Sequence, residues 1–100
     1  MANTIRTSGF TALIDTLVSK RESIGMNQRE LARRLGCSQG TINRIETGQR
    51  RIDVIELVVL ARALDLDPRD LFDLVVRKIS DDELIANFST AGRAQREREK

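Results

Sequence analysis

Gln39, Asn43 and Arg44 are the residues whose types and spacing point most clearly to a chemistry. Amide and guanidinium groups are planar and carry donors and acceptors in fixed forks, so they recognise hydrogen-bonding edges rather than break bonds. Gln and Asn forks match adenine, and the Arg fork matches guanine. The groups that catalysis needs are missing. The chain has no His and one Cys, which excludes a disulfide framework, a Cys/His zinc site and any His-based triad. No metal-ligand cluster or glycine-rich phosphate loop is visible. The expectation is therefore a binding protein without cofactor or metal, not an enzyme.

Such side chains need a rigid support, and the sequence reads as a string of short helices. Its 100 residues suit one small domain, and 40% apolar with 32% charged residues is a globular composition. No apolar run is long enough to span a membrane, and Met1 to Thr7 lacks the apolar core of a signal peptide. These features predict a cytoplasmic protein, nucleoid-associated if it binds DNA. Phe10, Leu13, Ile14, Leu17, Val18, Arg21 and Ile24 form one amphipathic stripe, which predicts a helix over 9–24 capped by Ser8 or Thr7 and stopped at Gly25. Asn27 with Glu30 reads as a capping box for a helix over 28–35 ended by Gly36. Ser38 caps a helix over 39–47, with Ile42 and Ile45 inward and Gly48 as its stop. Asp53 with Glu56 opens a helix to about Leu64, and Asp67-Pro68 opens one over 68–78. Ser80 with Glu83 predicts a shorter sixth helix from Asp81 to about Thr90. The expected organisation is a flexible N-terminus over 1–8, a domain over 9–79, a short C-terminal helix within 80–91 and a charged flexible tail over 92–100. No strand pattern or repeat is seen, so the fold class is all-α.

The charge is uneven. Residues 27–51 hold six Arg and two Glu, net +4, while 52–85 hold four Lys/Arg and nine Asp/Glu, net −5. A polyanion would dock on the first stretch and be repelled by the second. Two short helices joined by Gly36-Cys37-Ser38 read as a helix-turn-helix. If Ile42 and Ile45 face the core, the helical period puts Gly40, Asn43, Arg44 and Thr47 outward, with Gln39 at the leading edge. That face carries no carboxylate and fits a DNA major groove, where Gly40 allows close backbone approach. Gln39, Gly40, Asn43, Arg44 and Thr47 are thus the candidate base contacts, while Arg29 and Arg33 read as ordinary solvated charge.

The run from Asn27-Gln28-x-Glu30-Leu31-Ala32 through Leu35-Gly36-x-Ser38 and Ile42-x-x-Ile45-Glu46-x-Gly48-x-Arg50 to Leu60-Ala61-x-Ala63-Leu64 resembles the phage-repressor and Cro-like helix-turn-helix family, often called XRE. The resemblance covers roughly residues 10–75. It implies a five-helix repressor-like DNA-binding domain and a transcriptional regulator. It implies that Gln28 holds a phosphate at the start of its helix, that Gln39 is the main base reader and that Arg50 contacts phosphate. Arg51 in the same loop and the cap Ser38 join the candidate phosphate contacts. Arg21 and Glu46 match a structural pair bridging the first and third helices. Two positions depart from the family pattern. Gly40 stands where a polar side chain is usual, and Ile52 where Pro is frequent.

Ile55 and Val59 fall where this family usually shows polar residues, and Phe72, Val75, Val76 and Ile79 add more apolar surface. These six are the candidate interface of a homodimer. The competing expectation is that Leu84, Ile85 and Phe88 of the sixth helix fold back to cover them. Cys37 is expected to be a plain buried thiol. The partners expected are double-stranded DNA and a second copy. A second functional class also fits: an antitoxin-type protein whose acidic, apolar C-terminal half neutralises a basic partner protein and which regulates its own operon.

Overall fold

The computed structural model describes residues 7–80, which form five helices. These are α1 Ser8–Ser23, α2 Gln28–Leu35, α3 Gln39–Glu46, α4 Val54–Ala63 and α5 Pro68–Lys78. Among the described residues there are no strands. The expected sixth helix, its Ser80–Glu83 box and the charged tail fall mostly or wholly outside the described residues. Of the two caps expected for α1, Thr7 is the one formed: it is buried and its hydroxyl accepts the Phe10 amide at 3.1 Å.

Local chemistry sets the ends of the helices. Asn27, Ser38, Asp53 and Asp67 each accept a backbone amide of the following turn. The box at α4 is complete, with Asp53 Oδ1 on the Glu56 amide at 2.7 Å and Glu56 Oε1 on the Asp53 amide at 3.0 Å. At α2 the Asn27 half forms, but the Glu30 carboxylate turns to Arg33 and Arg34 instead. Gly36 ends α2 at φ 71, where a side chain would be strained. The stop after α4 uses the same pair of carbonyl contacts without a glycine. Leu66 donates to Ala61 O and Asp65 to Arg62 O, and Asp65 takes φ 59.

Helix α1 packs most closely on α5, α2 on α3, and α4 bridges α2 and α5. The core runs from Leu13 and Leu17 through Leu31 and Ile42 to Leu60, Leu64 and Leu71. Met26, in the loop before α2, is also buried there. Gly9 lets the end of α5 and its cap lie close on α1: a Cβ added at Gly9 would lie 2.7 Å from Ile79 Cγ1 and 3.0 Å from Val75 O. This packing draws Ile79 and the half-buried Val75 against α1. Cys37 is exposed rather than buried: it sits on the α2–α3 turn and lines an open cleft instead of the core.

Candidate nucleic-acid interface

Helix α3 is anchored by one face and open on the other. Ile42 and Ile45 are buried, while Gln39, Gly40, Asn43, Arg44 and Thr47 are all exposed. Ser38 caps the helix by accepting the Thr41 amide at 3.1 Å. The space left by Gly40 is not empty: a Cβ there would lie 3.4 Å from Arg44 Nη1. The Arg44 guanidinium lies back along the helix and reaches Thr41 Oγ1 at 3.3 Å. The Thr47 hydroxyl donates to Asn43 O at 2.8 Å, so only its lone pairs remain for an outside donor.

The orientation of α3 is held from within. Arg21 Nε donates to Glu46 Oε2 at 2.7 Å and its Nη2 to Glu46 Oε1 at 3.0 Å, with both side chains 9% exposed. Its remaining Nη1 donates to Met26 O at 2.7 Å. This bidentate pair joins α1 to the end of α3. Gln28 extends it outward. Its Nε2 donates to Glu46 Oε1 at 2.8 Å and approaches Asn43 Oδ1 at 3.4 Å, while its Oε1 accepts from Gln39 Nε2 at 3.3 Å. A carboxylate only accepts, so Glu46 settles which end of the Gln28 amide faces it, and Gln28 in turn aligns Gln39. Arg21 and Glu46 therefore stand together as the sequence suggested. The link onward to Gln28 had no signal in the spacing.

The basic residues around this face are partly engaged by carboxylates. Arg33 and Arg34 both hold Glu30, whose carboxyl is pulled down to about 2 by these two hydrogen bonds. In the loop after α3, Arg50 Nη2 donates to Glu56 Oε2 at 2.7 Å and Nη1 to Glu56 Oε1 at 3.1 Å. That pairing holds Glu56 below the usual carboxylate range and raises Arg50. Arg51 is exposed beside it.

Of the six apolar interface candidates, Ile55, Val59, Phe72 and Val76 are exposed. Val75 and Ile79 are half-buried, Val75 packed against the core and Ile79 beside Gly9 of α1. Ile55 and Val59 border a cleft of about 270 Å³ between the α2–α3 turn and α4, which Cys37, Thr41 and Arg50 also line. Among the described residues, no group of three potential ligands could hold a metal, and no helix is long and apolar enough to cross a membrane.

Comparison with known proteins agrees with this arrangement. A family profile for helix-turn-helix domains matches residues 17–71. The chain is 32% identical over 80 residues to Repressor protein C of Rhizobium phage 16-3, covering 80% of this chain but only 30% of that protein. An XRE-family like protein from Pseudomonas syringae pv. tomato str. DC3000 superposes with a TM-score of 0.64 at 36% identity, covering 69% of this chain and 84% of that one. With its all-helical fold and its match across both helices of the motif, this chain belongs to the helix-turn-helix family of XRE, phage-repressor type, a family of DNA-binding proteins rather than enzymes.

Proposed function

We propose that this chain is a sequence-specific regulator of transcription that binds double-stranded DNA as a homodimer. The observation that carries the reading is the outer face of α3, which is exposed, free of carboxylates and held at a fixed angle by Arg21 and Glu46. In this reading Gln39, Asn43, Arg44 and Thr47 meet base edges in the major groove, and Gly40 lets the backbone come close once the Arg44 guanidinium swings from it towards the bases. Gln28, Ser38, Arg50 and Arg51 meet phosphates and set the register. Two copies, joined through the apolar surface of Ile55, Val59, Phe72 and Val76, would place their recognition helices about 34 Å apart on an inverted repeat.

Titration of a labelled duplex pool at several salt concentrations tests this reading. Contacts with phosphate release counterions, so the logarithm of the binding constant should fall linearly with the logarithm of salt, by about 0.9 per phosphate neutralised. Absence of binding to any duplex at low ionic strength rejects the proposal. Sedimentation of the same sample tests the dimer, and a chain that stays monomeric on DNA rejects that part alone.

A further inference from the structure

Glu56 is a carboxylate where a DNA-facing loop would be expected to favour cations. It stands in the first turn of α4, at the start of the acidic stretch, and grips Arg50 from the end of the basic one. The grip uses two guanidinium nitrogens on two carboxylate oxygens, at 2.7 and 3.1 Å. A guanidinium meets a phosphate with the same fork. Glu56 is itself fixed, because Oε1 also accepts the Asp53 amide at 3.0 Å. The side chains of the pair are 36% and 35% exposed. A pair this open to water holds by no more than about a factor of five, so a nearby phosphate can compete for the arginine.

We propose that Glu56 is an internal stand-in for DNA phosphate that holds Arg50 back and thereby sets the sequence-independent part of the affinity. The inference rests on the DNA-binding reading above and concerns its strength rather than its sequence. Glu56 touches no DNA itself. It is a positioning residue acting through Arg50, and it lowers affinity for every duplex alike.

The test is a double-mutant cycle on salt dependence, using the full chain and a duplex of random sequence. Glu56→Gln keeps an oxygen for the Asp53 amide, because glutamine also serves at this position of a capping box, but removes the charge. It should tighten binding about two- to five-fold and steepen the salt slope by up to about 0.9, the value for one more phosphate contact. Adding Arg50→Gln should abolish both changes, bringing the double variant to the level of Arg50→Gln alone. A gain that persists without Arg50 means that Glu56 acts only as a bare charge, and overturns the inference. So does an unchanged slope in Glu56→Gln. Arg50→Gln alone gives a reading that does not depend on the stability of the Glu56 variant. It should flatten the wild-type slope by clearly less than about 0.9, and a full loss contradicts any competition. A wild-type chain that binds no duplex ends the DNA-binding reading as well, whereas wild-type binding with a failed cycle ends this inference alone.

Discussion

Replacing Glu46 with leucine probes the pair that orients the recognition helix. The substitution leaves Arg21, 9% exposed, with the Met26 carbonyl at 2.7 Å and only the distant, exposed Glu22 carboxylate at 3.9 Å. Its Nε and Nη2 lose acceptors at 2.7 and 3.0 Å, and Gln28 Nε2 loses one at 2.8 Å. Removing one member of a buried pair costs about 3–5 kcal/mol. A domain of this size has roughly 4–11 kcal/mol in total, so the variant should be close to unfolding. Replacing both members, Arg21→Met with Glu46→Leu, leaves no stranded charge and should return stability to within about 1 kcal/mol of the wild type or above it. Arg21→Met alone strands Glu46 in the same way, so the coupling, the two single losses less the double loss, should be at least about 5 kcal/mol. Urea unfolding followed by far-ultraviolet circular dichroism at pH 7 measures all four corners. The double variant should nevertheless discriminate poorly between sequences, because Gln28 then keeps only its long 3.4 Å contact with Asn43 and no longer fixes Gln39. A loss below about 1 kcal/mol for Glu46→Leu refutes the buried-pair reasoning, and undiminished selectivity in the stable double variant refutes the alignment of Gln39.

Two further predictions concern stability. Asp65→Gly should stabilise the chain by about 0.5–1 kcal/mol, because glycine relieves the left-handed strain at φ 59 but loosens the unfolded chain; a lower urea midpoint contradicts this. Acid sensitivity should follow Glu30 and Glu56, whose carboxyls lie below their ordinary 4.5 in the folded state. Because folding lowers both values, their contribution is complete above about pH 4.5 and is lost as pH falls, for Glu30 towards about 2. Urea midpoints measured down the pH scale should therefore drop less steeply in a Glu30→Gln, Glu56→Gln variant than in the wild type, and parallel curves count against the assignment.

The caps were legible in the sequence because each depends on residues within one turn, as at Ser38 and Asp53. The outer face of α3 was legible because Ile42 and Ile45 define its inner face and the helical period does the rest. Helix α5 shows where periodicity runs out. Leu71, Val75 and Ile79 share one four-residue spacing, and Phe72 and Val76 share it too, so spacing alone does not say which set meets α1. The close approach at Gly9 decides it. The contacts of Gln28 with Glu46 and Gln39 span 18 and 11 residues, and no local rule links them. Arg50 and Glu56 lie six residues apart across the α3–α4 loop, and neither helical period nor capping spacing links them, so the ion pair carries no signal in the sequence. Asp65 hid its role because glycine, not aspartate, is the usual sign of a left-handed stop.

Selection of bound duplexes from a random pool, run in parallel with the wild type and Gln39→Ala, tests the central claim most directly. The account predicts that the wild type enriches one half-site, repeated with inverted symmetry about one helical turn apart. It predicts that Gln39→Ala keeps the same site but loses preference at one base step, at a cost of about 1–3 kcal/mol. A wild-type chain that enriches no sequence, or a Gln39→Ala chain with an unchanged preference at every position, would contradict it.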